Sequence, residues 1–213
     1  MTELPARIVD GAAVLDGTLA LPAGPLGVVA FAHGSGSSRF SPRNAYVAGE
    51  LQRAGIATLL FDLLTAGEDV DHATRFDIGL LTRRLLAALA WLRQQAQTAH
   101  LPAGFFGAST GAAAALCAAA AEPTVAAVVS RGGRPDLAGD DLRRVRAPTL
   151  LIVGGRDYGV IELNEAACAR LVCEKELVIV PGATHLFDEP GTLEQAAEHA
   201  ARWFARHFAV TQR

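Results

Sequence analysis

The sequence predicts an α/β fold in which a mainly parallel sheet is covered by helices on both faces. Short apolar runs alternate along the chain with amphipathic or alanine-rich segments, which is the pattern of strand–helix–strand crossovers. Several runs are apolar throughout, as expected of strands buried on both faces of a parallel sheet. The chain has 213 residues, of which 51% are hydrophobic and 19% are charged. We therefore expect residues 1–213 to form a single domain with a complete core.

Residues 1–26 predict an antiparallel lead-in to this sheet. Two Asp-Gly pairs, Asp10-Gly11 and Asp16-Gly17, lie between short apolar runs. Asp-Gly pairs favour tight hairpin turns, so we expect short strands at 8–9, 14–15 and 19–21 with a turn at each pair.

From residue 27 onward the pattern predicts alternating strands and helices. The predicted strands are 28–32, 57–61, 104–107, 125–129, 149–153 and 177–180. The predicted helices are 46–54, 77–95, 111–121 and 162–171, and a closing helix begins at Thr192, where Gln195 is expected to complete a capping box. Apolar residues at helical spacing define the buried face of this closing helix: Leu193, Ala196, Ala197, Ala200, Trp203, Phe204 and Phe208.

Charge and hydropathy argue against several classes of protein. The formal charge is −3. The densest basic group is Arg143, Arg144 and Arg146, and it is offset by the nearby acids Asp136, Asp140 and Asp141. A nucleic-acid-binding protein is instead expected to carry a basic stripe. No apolar stretch reaches the roughly 18 residues that a membrane span requires, and the first residues lack the pattern of a signal peptide. We expect a cytoplasmic protein that binds neither nucleic acid nor membranes.

The cysteines predict neither a disulfide framework nor a metal site. There are three of them, none lies in a CxxC pair, and none has a histidine at zinc-ligand spacing. We expect Cys117, Cys168 and Cys173 to be reduced thiols, which fits the cytoplasm.

A GxSxG pattern at residues 107–111 is the first candidate for chemistry. It lies between an apolar run and a helical segment, and a nucleophilic serine needs such a sharp turn between a strand and a helix. Glycines two residues before and after the serine let the strand and the helix approach each other. Ser109 is therefore the candidate nucleophile.

An acid and a histidine follow two later strands. Asp157 comes after the strand at 149–153, and His185 after the strand at 177–180. In a parallel sheet such residues meet at the carboxyl edge, where the histidine can take the serine proton and the acid can orient the histidine. Asp62 precedes the serine and is expected to fix a loop. Three acids after the strand at 125–129 remain alternatives to Asp157: Asp136, Asp140 and Asp141.

The glycine-rich loop at 33–38 follows the first buried strand. Acyl transfer builds negative charge on a carbonyl oxygen, and two backbone N–H groups have to receive it. Thr110, directly after the serine, is expected to supply one, and Ser35 the other, with Gly36 as the second choice in that loop. A phosphate-binding loop is the alternative, but neither GxGxxG nor GxxxxGK[ST] is present.

Four motifs carry a resemblance to a known family: HGSGSS at 33–38, GASTG at 107–111, GGRD at 154–157 and GATH at 182–185. From residue 27 to 208 the chain resembles a small α/β-hydrolase of the dienelactone hydrolase-like group. The resemblance implies a Ser109–His185–Asp157 triad on an eight-stranded type of sheet. Dienelactone hydrolase itself uses a cysteine nucleophile where this chain has Ser109, which favours an activity like that of a serine esterase.

Gly36 and three arginines are the candidates for contacting the substrate, and the arginines are candidates for binding an anionic group on it. Arg39 and Arg43 follow the glycine-rich loop, and Arg131 follows the strand at 125–129, so all three belong to the expected rim of the site. Guanidinium groups bind carboxylates and phosphates through paired hydrogen bonds. Salt bridges to nearby acids such as Asp62 or Glu68 are the alternative.

These expectations combine into a serine hydrolase that cleaves an ester, thioester or related acyl bond of a small substrate. Covalent serine catalysis requires no cofactor. Only about 18 residues separate the strand at 125–129 from the next one, which leaves room for a minimal cap or none. The sequence leaves open a non-catalytic binding or partner protein, an acyltransferase, a C–C hydrolase and a homodimer.

Overall fold

A computed structural model describes residues 1–211 and contains eight strands and five α-helices in that range. The strands are β1 (Thr2–Asp10), β2 (Ala13–Leu21), β3 (Val28–Ala32), β4 (Ala57–Phe61), β5 (Ala103–Ala108), β6 (Ala127–Arg131), β7 (Thr149–Gly154) and β8 (Lys175–Val180). The helices are α1 (Pro42–Arg53), α2 (Ile78–Gln94), α3 (Thr110–Ala121), α4 (Tyr158–Arg170) and α5 (Thr192–Thr211). Short 3-10 segments lie at Glu68–Val70, Thr74–Phe76 and Pro135–Arg144.

All eight strands form one sheet in the order β1-β2-β4-β3-β5-β6-β7-β8. Strands β3 to β8 are parallel to one another, whereas β2 runs antiparallel to both β1 and β4. The predicted parallel α/β sheet with an antiparallel lead-in is therefore confirmed.

Only one of the two predicted turns in the lead-in is present. The chain turns at Asp10-Gly11, where Gly11 has φ 61°. The turn predicted at Asp16-Gly17 is wrong, because Gly17 lies inside β2 opposite Phe61 of β4. A Cβ atom on Gly17 would lie 2.7 Å from the Cβ of Phe61, so this glycine allows β4 to approach closely.

Several element boundaries differ from the prediction, and α1 shows why. This helix begins at Pro42 rather than at residue 46, because the Ser41 hydroxyl accepts a hydrogen bond from the Asn44 N–H and caps the first turn. Helix α4 likewise begins four residues earlier than predicted, and β6 begins two residues later.

The capping box predicted at the start of α5 is wrong. The Thr192 hydroxyl donates to the Glu189 carbonyl at 2.7 Å, and the Gln195 side chain donates to the Gly191 carbonyl at 3.0 Å. Both side chains thus bind carbonyl groups of the preceding turn instead of the backbone N–H groups that a capping box satisfies.

Helices cover the sheet in two layers. Buried residues of α2, α3 and α4 pack on one face, while α1 and α5 pack on the other. The predicted inner face of α5 is confirmed, with Leu193 partly buried and the other predicted residues fully buried. Between β6 and β7 the segment Pro135–Arg144 packs against α3 and α4. Within residues 1–211, no helix has the length and apolar character needed to cross a membrane.

Candidate active site

Ser109 occupies a strained turn between β5 and α3. Its backbone has φ 52° and ψ −122°, a conformation that non-glycine residues seldom adopt and that the surrounding structure has to hold in place. A Cβ atom on Gly107 would lie 2.4 Å from the Cα of Ala112, and one on Gly111 would lie 2.2 Å from the Ala32 carbonyl oxygen. The two glycines are therefore required by the contact between α3 and the sheet, as the GxSxG pattern predicts.

His185 and Asp157 lie together at the carboxyl edge of the sheet. The Nδ1 atom of His185 is 2.6 Å from Oδ2 of Asp157, and the Asp157 side chain is 15% exposed. Asp157 stands at the start of α4 without capping it, so its carboxylate is free to accept this bond. With Nδ1 as the donor, Nε2 of His185 is the unprotonated nitrogen.

Ser109 and His185 line the same cleft. Within the described residues, the Ser109 hydroxyl makes no hydrogen bond, while the His185 ring has its hydrogen bond to Asp157. Catalytic hydrogen bonds of this kind are often long in a protein without substrate and shorten when substrate binds.

The other acids considered at this edge are each engaged by an arginine. Asp62 accepts the Arg39 N–H at 2.8 Å and also pairs with the Arg39 guanidinium. The three acids of the β6–β7 connection pair with arginines in the same way: Asp136 with Arg134, Asp140 with Arg170, and Asp141 with Arg144. Asp157 is thus the acid that the structure brings to His185.

The two residues predicted to bind an oxyanion are joined through a side chain. The Ser35 N–H donates to Oγ1 of Thr110 at 2.9 Å, which fixes the glycine-rich loop on the turn that carries Ser109. The Ser35 N–H is therefore already engaged here, while the Thr110 N–H belongs to the first turn of α3, where backbone donors have no partner within the helix. Gly36 has φ 68° and is not among the residues that line the cleft.

His33, the histidine of the glycine-rich loop, is buried and hydrogen-bonded, which the sequence does not indicate. His33 is 7% exposed, and its Nε2 accepts a hydrogen bond from the Leu63 N–H at 3.0 Å, while Nδ1 lies 3.0 Å from the Gly34 carbonyl. Burial lowers the pKa of His33 below its usual 6.5, so the ring is neutral. It connects the loop after β3 to the loop after β4.

The cleft is small and polar. It encloses about 280 Å³, near the lower end for small-molecule sites. Of the four residues predicted to contact substrate, Arg43 and Arg131 line it, whereas Arg39 and Gly36 do not. Arg39 is held away by Asp62. The lining is completed by residues of the glycine-rich loop, of α1 and of the Ser109 and His185 turns: Gly34, Ser35, Ser37, Ser41, Asn44, Ala108, Ser109, Gly132, His185 and Leu186.

The loop that carries His185 is held by its own acids. The Thr184 N–H donates to the Glu189 carboxylate at 3.0 Å, and this hydrogen bond lowers the pKa of Glu189. Asp188 pairs with Arg43 at 3.2 Å. In the part of the chain that the structure describes, no group of three or more histidine, cysteine or acidic side chains could hold a metal ion.

The sheet carries a serine on a strained turn after a central strand, an acid after β7 and a histidine after β8. This order on this sheet topology is that of an α/β-hydrolase. The model of the dienelactone hydrolase family matches residues 15–211, and the chain belongs to that family.

Similar proteins of known structure agree with this assignment. A dienelactone hydrolase from Anabaena variabilis ATCC 29413 is 56% identical and superposes with a TM-score of 0.94, over 97% of this chain and 98% of that one. Est1E from Butyrivibrio proteoclasticus shares the fold at 17% identity, with a TM-score of 0.82 over 96% of this chain and 99% of that one.

A relative from Mycobacterium tuberculosis (strain ATCC 25618 / H37Rv), named "Putative phosphoribosyl transferase", is 60% identical over 203 residues. The match covers 94% of this chain but 46% of the relative. The chain thus spans slightly less than half the length of that protein, whose name describes the longer molecule.

Proposed function

We propose that this protein is a serine hydrolase that cleaves an ester, thioester or related acyl bond through an acyl-enzyme on Ser109. The observation that carries the proposal is the strained backbone of Ser109, which faces the same cleft as a histidine oriented by Asp157. Backbone strain of this kind is retained where it has a use, and here it presents a hydroxyl to the cleft.

In the first half-reaction the Ser109 oxygen attacks the acyl carbon while Nε2 of His185 takes the hydroxyl proton. The resulting imidazolium is stabilised by Asp157, and it then gives the proton to the leaving group as the old acyl bond breaks. In the second half-reaction water attacks the acyl-enzyme, His185 takes a proton from that water, and the proton returns to Ser109 as the acid product leaves.

The negative charge of the tetrahedral intermediate requires donors beside Ser109. The Thr110 N–H is at the start of α3 and supplies one. The Ser35 N–H supplies the second by turning from Oγ1 of Thr110 towards the substrate oxygen, since the present bond keeps this amide next to Thr110.

The substrate is a small molecule, because the cleft encloses about 280 Å³. We further propose that the protein acts in the cytoplasm, since Cys117, Cys168 and Cys173 are all free thiols. The relative named as a putative phosphoribosyl transferase is about twice as long as this chain, and the strained Ser109 beside a histidine that contacts Asp157 supports acyl transfer.

Labelling with a fluorophosphonate, followed by intact-mass measurement, tests the proposal. We expect one adduct on the wild type and none on Ser109→Ala. Ser38→Ala is the matched control, because Ser38 belongs to the glycine-rich loop but does not line the cleft, and it should keep the adduct.

The result decides between enzyme and binding protein. An adduct that depends on Ser109 is followed by a panel of p-nitrophenyl esters and thioesters, with and without added acyl acceptors, which separates hydrolysis from acyl transfer. A folded wild type that takes up no adduct would overturn the proposal in favour of a non-catalytic binding protein on the same fold.

A further inference from the structure

Asn44 is a buried polar residue in the lining of the Ser109 cleft. It is the third residue of α1, and Ser41, which caps this helix, also lines the cleft. Asn44 is 2% exposed, and it shares the cleft with Ser109 and His185. The Ser41 hydroxyl accepts a hydrogen bond from the backbone N–H of Asn44, so capping of the helix does not use the Asn44 side chain.

The side-chain amide of Asn44 has an unpaired oxygen. Within residues 1–211, its Oδ1 atom is buried and has no hydrogen-bond partner. The chain's other asparagine, Asn164, also has an unpaired Oδ1, but its Nδ2 donates to the carbonyls of Gly133 and Val160, at 3.0 and 2.8 Å. Those two bonds give the Asn164 side chain a role in the fold. A buried amide without such bonds destabilises a protein, and in the lining of a cleft a ligand is the group that supplies the missing partner.

The lining next to Asn44 indicates what kind of group would bind there. Ser37 and Ser41, which precede Asn44 in the chain, also line the cleft, and hydroxyl and amide groups both donate and accept hydrogen bonds without carrying charge. Two arginines of the lining, Arg43 and Arg131, disfavour a positively charged donor such as an ammonium group. The neutral donor that fits a small cleft of this kind is a hydroxyl group.

The symmetry of the amide also favours a hydroxyl group. A half-turn of the Asn44 amide about its Cβ–Cγ bond exchanges Oδ1 and Nδ2 with little change of shape, so the side chain can present an acceptor or a donor to the cleft. A hydroxyl group pairs with the amide in both orientations, because it donates one hydrogen bond and accepts others. An ester or ketone oxygen only accepts, and pairs in one orientation alone.

We propose that the substrate of this hydrolase carries a hydroxyl group close to the bond that is cleaved, and that the side-chain amide of Asn44 binds it. Because Asn44 and Ser109 line one cleft of about 280 Å³, the hydroxyl group lies only a few bonds from the acyl carbon. An ester without the hydroxyl group leaves the amide unpaired and is therefore a poorer substrate. The proposal names a substrate class for the proposed hydrolase and rests on that function.

Esters that differ by one hydroxyl group test the preference. Each enantiomer of ethyl 3-hydroxybutyrate places the group on the acyl side, 2-hydroxyethyl butyrate places it on the alcohol side, and ethyl butyrate lacks it. With acid release followed in a pH-stat, we expect kcat/KM for at least one hydroxy ester to exceed that for ethyl butyrate about tenfold or more. The ester with the largest ratio shows on which side of the cleaved bond the hydroxyl group binds.

Variants assign this preference to Asn44. In Asn44→Leu the ratio of the two kcat/KM values should fall about tenfold or more, towards that of the uncatalysed esters. Tyr46→Phe is the matched control, because it removes a polar group from the same helix at a residue that does not line the cleft, and it should keep the ratio.

Binding without turnover gives a readout that does not depend on hydrolysis. Isotope-labelled Ser109→Ala is titrated with the same esters, and NMR follows the side-chain amide signals of Asn44, which are identified by their loss when Asn44→Leu is added. We expect these signals to shift saturably with at least one hydroxy ester and not with ethyl butyrate at the same concentrations.

Stability separates a binding residue from a structural one. Asn44→Leu removes an unpaired buried amide and keeps the backbone N–H that binds Ser41, so we expect the melting temperature without ligand to stay the same or rise. Asn164→Leu removes two hydrogen bonds and should lower it. An equal fall in both variants would show that Asn44 serves the fold and would overturn the proposal.

The failures of the two proposals are distinguishable. If Ser109 takes up a fluorophosphonate but hydrolysis shows no hydroxyl preference, or the preference is unchanged in Asn44→Leu, the role of Asn44 is overturned and the hydrolase stands. If no adduct forms but the Asn44 amide signals shift with a hydroxy ester, the hydroxyl site is supported while the hydrolase proposal fails. Absence of both the adduct and the shift would overturn both.

Discussion

Nδ1 of His185 lies 2.6 Å from Oδ2 of Asp157, and this contact joins the loop after β8 to the loop after β7. A carboxylate in this position favours the tautomer with the proton on Nδ1, and the proposed mechanism requires Nε2 as the base. We expect Asp157→Asn to lower kcat about 10⁴-fold, because an amide no longer stabilises that tautomer or the imidazolium. The rate of ester hydrolysis at saturating substrate, compared between this variant and the wild type, measures the loss of kcat.

Asp62→Asn is the control for this prediction, since Asp62 follows β4 at the same edge but pairs with Arg39. A loss of kcat in Asp62→Asn as large as that in Asp157→Asn would show that the acid has been assigned to the wrong residue.

The hydrogen bond from the Ser35 N–H to Oγ1 of Thr110 predicts a role for the threonine hydroxyl. Thr110→Val keeps the backbone donor and the shape of the side chain but removes the acceptor that positions Ser35. We expect kcat to fall about tenfold or more, and by less than the 10²–10³ that follows loss of an oxyanion donor. Thr110→Ser should restore most of the rate, and equal rates in Thr110→Val and the wild type would contradict the role.

The tight contact at Gly111 predicts a large effect on stability. A Cβ atom there would lie 2.2 Å from the Ala32 carbonyl oxygen, so Gly111→Ala should lower the free energy of unfolding by about 3 kcal/mol. Gly159 in α4 is exposed, and a Cβ atom on it would meet no other atom within 4 Å, so Gly159→Ala should instead raise it by up to about 1 kcal/mol. Urea denaturation compares the two, and similar effects of both changes would refute the packing argument.

The buried neutral His33 predicts a dependence of stability on pH. Its pKa is lowered by burial, so on acidification below pH 6.5 the unfolded chain takes up a proton that the folded chain does not. Stability is therefore present above pH 6.5 and is lost as the pH falls towards the folded pKa, by at most about 1.4 kcal/mol per pH unit.

Unfolding of the wild type and His33→Gln between pH 7.5 and about 5.5 measures this contribution. The slope of stability against pH should be smaller in the variant, which retains the effect of His207, whose pKa burial also lowers. Identical slopes would show that His33 does not titrate as described.

The sequence is sufficient to predict the central strands because they are buried on both faces and read as continuous apolar runs. It is less informative at the edge. Strand β1 spans Thr2–Asp10, whereas the sequence predicts a strand only at residues 8–9, because Pro5 and Arg7 interrupt the apolar residues before that point. Asp16-Gly17 is misleading as a turn signal because glycine also serves where two strands approach closely.

The candidate site likewise has residues that the sequence predicts and contacts that it does not. Ser109, Asp157 and His185 each follow a strand that the sequence reveals, so their placement at one edge could be predicted. The bond between Ser35 and Thr110 joins residues 75 positions apart, and the burial of Arg131 depends on everything packed around it. Neither can be obtained from a local pattern, although the arginine's position after β6 does mark it as a candidate.

The connection between β6 and β7 has a consequence for how the protein chooses what it binds. Its segment Pro135–Arg144 packs against α3 and α4, and the Asn164 side chain of α4 donates to the Gly133 carbonyl at 3.0 Å. Gly132, which precedes the anchored Gly133, lines the cleft, so this anchoring holds one side of the cleft in place. Discrimination between substrates then depends on the shape that the cleft has before a substrate binds. Replacing a single side chain of its lining is therefore expected to change which substrate the protein prefers.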